Sequence, residues 1–184
     1  MENIILTANG FENNNISKMF LEMVKKEPSQ IKVIFVPTAA INADAIEVLP
    51  KCLHDLLDLN IPKENIMVND LNYKMEFNEI IKYDAIYFCG GDTSYLLKRI
   101  NETGFNEILK KYIENGGIYI GVSAGSIIMA NNLHDNLGYL NCKLDVHGNE
   151  GIKIGKFDPK DYSYIKLPDN KAIIIKNNEY EVIE

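Results

Sequence analysis

"YIGVSAGSIIMA", residues 119–130, decides how this chain is read. A short apolar run ends at Val122, Ser123 follows between Gly121 and Gly125, and a helix-like apolar stretch comes next. G-x-S-x-G between a strand and a helix is the pattern of a nucleophile elbow. The serine sits on a sharp turn, and small neighbours let both backbone and ligand approach its hydroxyl. The first amides of the following helix, that of Ala124 foremost, then lie where a negative oxygen would be held. The plainer use of such a serine is to cap that helix, and the local pattern does not separate the two.

Working outward, short apolar runs alternate with amphipathic stretches. Residues 4–8, 32–40, 65–70 and 83–93 read as strands with their trailing loops, joined by "IYIGV" at 118–122. Apolar residues at helical spacing mark helices over 15–26, 43–60, 94–104 and 105–117, with another from Ala124. Pro50 either kinks the second of these or delays its start; Gly104 and the pair Gly116–Gly117 close the next two. This alternation predicts right-handed crossovers and a three-layer, doubly wound α/β fold with a mostly parallel sheet. After Asn131 the pattern changes. "KLDVHGNEG", "YSYIKLP", "KAIIIKN" and "YEVIE" read as short strands and hairpin arms, a β-rich C-terminal part of one domain spanning 1–184.

The bulk numbers narrow the function classes. A net charge of −7 and a pI near 5.1 disfavour nucleic acid. No apolar run approaches the ~20 residues of a membrane span, and "MENIILTANG" reads as a first strand rather than a secretory leader. The three cysteines, Cys52, Cys89 and Cys142, have no paired spacing, and the three histidines are scattered. Neither a disulfide framework nor a structural metal site is expected. The expectation is a cytoplasmic protein without cofactor, a monomer or homodimer acting on a small molecule.

In a parallel sheet, ligands bind at the loops following the strands. Two such loops are glycine-rich: "CGGDTS" at 89–94 and "GVSAGS" at 121–126. Gly91 is placed to offer a second amide beside that of Ala124. Gly90, Asp92 and Thr93 are the candidate substrate-binding positions, although the more ordinary role of Asp92 is to cap the next helix. No Walker lysine follows, and Asp92 would repel a phosphate. Cys89 reads as a packed small hydrophobe. A serine nucleophile needs a base. His54 lies in mid-helix and His134 in a polar stretch, whereas His147 leaves a strand into a glycine turn, where a base would sit. For the orienting acid, Asp135, Asp145, Glu150, Asp158, Asp161 and Asp169 are all candidates, and pattern alone does not choose.

"ILTANGF", "VIFVPTAA", "DAIYFCGGDTSYLL" and "GGIYIGVSAGSIIMA" together resemble the bacterial dipeptidase E-like serine peptidases, the family that includes cyanophycinase. The likeness runs in order from residue 4 to about 130. It implies a fold like that of class I glutamine amidotransferases, with serine in place of their cysteine. It further implies Ser123 as nucleophile, the Gly91 and Ala124 amides as the oxyanion hole, and His147 as base, its usual "PH" reading "VH" here. The acid that follows a Leu-Pro pair in the family falls on Asp169 in "KLPDNKA". The segments between Ser123, His147 and Asp169 are shorter than is usual in the family. Dipeptidase E prefers an N-terminal aspartate, but Arg99, the sole arginine, is expected on a solvent-facing helix position, so that preference is not carried over.

Overall fold

Five of the apolar runs become parallel strands in the order β3-β2-β4-β5-β1: β1 (Asn3–Thr7), β2 (Val33–Val36), β3 (Ile66–Val68), β4 (Ala85–Phe88) and β5 (Ile118–Val122). They are seen in a computed structural model that describes residues 2–184; Met1, the first residue of the span read as one domain, lies outside the described residues. All but the edge strand β3 are buried along their whole length, as strands covered on both faces must be. Alternate residues serve opposite layers: Ile4 and Leu6 enter one core, Ile5 the other.

The helices are α1 (Asn14–Val24), α2 (Ala43–Glu47), α3 (Leu49–Leu57), α4 (Phe77–Ile80), α5 (Thr93–Glu102), α6 (Phe105–Glu114) and α7 (Ala124–Ile127). α1 and α3 cover one face of the sheet through Ile16, Phe20, Cys52 and Leu56, while α4 to α7 cover the other through Ile80, Leu96, Ile100, Leu109 and Ala124. Asn13 caps α1, its side chain accepting from the amides of Asn15 and Ile16. The expected helix over 43–60 is two helices. Pro50 stands in the first turn of α3, where it lacks only an amide that no carbonyl would have met, so the chain restarts at Leu49 instead of kinking.

Past Asn131 the strands are β6 (Lys143–Val146), β7 (Gly155–Phe157), β8 (Tyr164–Leu167), β9 (Ala172–Lys176) and β10 (Glu179–Ile183). β9 adds antiparallel to β1, then β10 and β7 follow antiparallel, completing an eight-stranded sheet. β9 and β10 form the hairpin read in the sequence, turning on Asn177 and Asn178 at φ 53° and 61°, left-handed positions that asparagine tolerates. β6 and β8 are not hairpin arms. They pair with each other in parallel, as a separate two-stranded sheet.

The close approach of α7 to β4 and β5 sets the geometry of the site. A Cβ on Gly121 would lie 2.6 Å from the carbonyl of Gly125, and one on Gly125 would lie 2.8 Å from the carbonyl oxygen of Phe88. Gly121→Ala is therefore expected to lower the unfolding free energy by about 1–3 kcal/mol, the range for overpacking, read as a fall in the urea midpoint at unchanged slope.

Candidate active site

Ser123 follows β5 at φ 49° and ψ −105°, a region that costs a residue with a side chain on the order of 1–3 kcal/mol. Its side chain makes no capping hydrogen bond to α7, so the plainer reading of this serine as a helix cap does not hold. β1 keeps it in place. The Ser123 amide donates to the Thr7 carbonyl at 3.0 Å. The Thr7 hydroxyl donates to the Gly121 carbonyl at 3.0 Å and accepts from the Gly10 amide at 3.0 Å. The buried Ser126 hydroxyl accepts from the Thr7 amide at 2.9 Å and lies 2.7 and 2.8 Å from the carbonyls of Thr7 and Gly121. The Tyr119 hydroxyl, also buried, donates to the Gly125 carbonyl at 2.6 Å.

The parallel pairing of β6 and β8 brings the predicted base and acid together. Val146 pairs with Leu167, so the chain leaves both strands at the same end, into His147 on one side and Pro168–Asp169 on the other. His147 turns at φ 66°, and its Nε2 comes within 3.1 Å of Ser123 Oγ. Its Nδ1 lies 2.7 Å from Asp169 Oδ1. A carboxylate only accepts, so Nδ1 carries the proton there and donates it to Asp169. Nε2 is then left to accept from the Ser123 hydroxyl. The His147 and Asp169 side chains are each 50% exposed, which puts the constellation on an open rim.

The glycine loop after β4 faces the serine. A Cβ on Gly90 would be 3.1 Å from that of Ser123. Gly91 turns at φ 138°, and a Cβ there would stand 2.1 Å from the Ala39 carbonyl oxygen, so only glycine fits. Among the described residues, the amides of Gly91 and Ala124 donate to no other group. α7 is a single turn, so what it offers is the Ala124 amide rather than the field of a long helix. Asp92 accepts from the Tyr95 amide at 2.7 Å and caps α5, of which Thr93 is the first residue. The capping role of Asp92 is thus filled within the protein.

The remaining candidates disperse. His54 bonds to Asp58 and His134 to Asp135, both on exposed surface. Asp145 takes the Tyr164 hydroxyl, and Asp158 caps the turn at 159–161. Arg99 is not turned to solvent. It donates to the Leu71 carbonyl and Glu102, with its side chain 24% exposed. Burial pushes the Cys89 thiol well above its ordinary range, so it stays protonated and unreactive. No group of three or more metal-binding side chains occurs among the described residues, and no helix is long and apolar enough to cross a membrane.

Comparison with known proteins identifies the family. The sequence profile of Peptidase family S51 matches residues 4–141. The chain belongs to peptidase family S51. Among its relatives are an uncharacterized peptidase of Pasteurella multocida, 38% identical over 56 residues (30% of this chain, 27% of the relative), and one of Listeria monocytogenes, 28% identical over 141 residues (72% and 63%). The chain spans less than two thirds of the length of these curated relatives. Two solved structures share its fold. One is a Listeria monocytogenes EGD-e protein classed with peptidase E (TM-score 0.70, 23% identity, covering 100% of this chain and 98% of the other). The other is a peptidase from an acI-B1 Actinobacterium (0.69, 18%, covering 100% and 87%).

The S51 match ends before His147 and Asp169, so their place beside Ser123 is known from the geometry alone. Sequence reading missed Thr7, Ser126 and Tyr119, the residues that hold the S51 elbow in shape. The first two are common small polar residues, and nothing local reveals that they meet across the sheet. Removing the Ser126 hydroxyl would orphan the buried Thr7 amide, so Ser126→Ala is expected to cost about 1–3 kcal/mol, measured by denaturant unfolding.

Proposed function

We propose that this chain is a serine-type peptidase that hydrolyses a small peptide or amide through Ser123, His147 and Asp169. The observation that carries the reading is the 3.1 Å contact between Ser123 Oγ and His147 Nε2, with Asp169 2.7 Å behind the ring. Membership of peptidase family S51 supports it, as do relatives and structural neighbours named as peptidases.

In this mechanism His147 takes the proton of Ser123 as Oγ attacks the scissile carbonyl. The tetrahedral oxygen turns toward the free amides of Gly91 and Ala124, each such donor being worth ~3 kcal/mol of barrier. Asp169 holds the ring in the productive tautomer and stabilises its charged form. His147 then protonates the leaving amine. Water, activated by the same ring, hydrolyses the acyl-enzyme and restores Ser123. The backbone strain at Ser123 serves this chemistry, because it projects Oγ out of the sheet toward the ring rather than back to the helix. Gly90, beside the nucleophile, leaves room for the substrate carbonyl. Asp92 and Thr93 border the same crevice. The engagement of Arg99 with Leu71 and Glu102 leaves an N-terminal aspartate without a guanidinium to meet, so no preference for aspartate is assigned.

A screen of dipeptides and isopeptide amides tests the reading. The wild-type chain should release product from at least one class. Ser123→Ala and His147→Ala should each lower kcat by about a thousandfold or more, with thermal melting within a few degrees of wild type. Full turnover by Ser123→Ala would refute it.

A further inference from the structure

One half-buried carboxylate has no part in this chemistry. Asp55 lies on α3, and its Oδ2 accepts from the Tyr87 hydroxyl at 2.5 Å and the Phe11 amide at 2.9 Å. Among the described residues no cation forms an ion pair with it; the nearby Lys51 is spent on Glu12 and the Asn9 carbonyl. Burial, the largest influence on it, pushes its carboxyl above the usual range, with the Tyr87 and Phe11 bonds pulling back. Such a carboxylate is expensive to keep, and its partners show what it holds.

Both bonds bear on the loop between β1 and α1, residues 8–13. Phe11 is anchored directly. Gly10 fits against the carboxylate so closely that a Cβ would stand 2.0 Å from Asp55 Oδ2. At one end the loop continues from Thr7, whose carbonyl receives the Ser123 amide and whose hydroxyl takes the Gly10 amide. At the other end the Asn13 side-chain amide donates to the Asn170 carbonyl at 2.6 Å, next in the chain to Asp169. One loop therefore contacts both Thr7, which holds the Ser123 amide, and the turn that carries Asp169.

We propose that Asp55 is a positioning residue for the peptidase site: by pinning the loop at residues 8–13 it sets the spacing of Ser123 and Asp169 about His147. This rests on the serine-peptidase reading above. A displacement of ~1 Å in such a constellation costs on the order of a hundredfold in rate.

The test uses a fluorophosphonate probe on the full chain, reading the labelling rate at Ser123 together with thermal melting, at a temperature where each variant is folded. Asp55→Ala should label about 10- to 100-fold more slowly. Asp55→Asn, whose amide oxygen can accept from both donors, should stay within about threefold of wild type. Tyr87→Phe, which removes one of the two bonds, should fall between them, and it carries the test should Asp55→Ala fail to fold. A folded Asp55→Ala or Tyr87→Phe that labels at the wild-type rate overturns the inference, as does an Asp55→Asn no faster than Asp55→Ala. A merely structural role would lower the melting temperature and leave the rate unmoved. If the wild type is not labelled at Ser123, the nucleophile reading falls, and this inference falls with it.

Discussion

The hydrogen bond from the Ser123 amide to the Thr7 carbonyl is the constraint on which the site depends. It is the last bond between β5 and β1 before the chain turns, and it fixes the backbone just where φ becomes positive. A strained residue persists only when its surroundings over-determine it. Here the Thr7 and Ser126 hydroxyls, the Gly121 carbonyl and the Tyr119 hydroxyl supply those surroundings, all of them buried. The serine is thus presented by the rigid centre of a parallel sheet, not by a mobile loop.

The other half of the constellation arrives by a different route. His147 and Asp169 belong to a small parallel pair outside the main sheet. Parallel register puts both exits at one end, so a single pairing sets the relation of His147 to Asp169. The two halves are joined by β9, which adds to β1 directly after the Asp169 turn, and by the Asn13 contact to Asn170. The short segments between Ser123, His147 and Asp169 still bring the three side chains together. The His147 and Asp169 side chains are half exposed.

Much of this was legible in the sequence. Gly91, Gly121 and Gly125 have steric duties that no other residue can fill, and such positions are written locally. The alternation of apolar runs and amphipathic helices pointed to the layers and to the succession of strands and helices along the chain. What was hidden is nonlocal. The pairing of β6 with β8 joins segments about twenty residues apart whose apolar patterns would equally suit a hairpin. β7, three residues that include a glycine, has too little pattern to declare itself, and α4 is one turn held by a reciprocal Glu76–Glu79 cap. Arg99 was misread because a guanidinium on an amphipathic helix can reach inward to a carbonyl that the sequence does not disclose. The support of the elbow by Thr7 and Ser126 was invisible for the same reason: a hydroxyl's partner is chosen by the fold.

The most direct measurement is a crystal structure of the chain after reaction with a fluorophosphonate. The account predicts phosphorus bonded to Ser123 Oγ, one phosphonyl oxygen about 3 Å from the amides of both Gly91 and Ala124, and His147 still bonded to Asp169. Phosphorus on another residue, or a phosphonyl oxygen turned to solvent away from both amides, would contradict it.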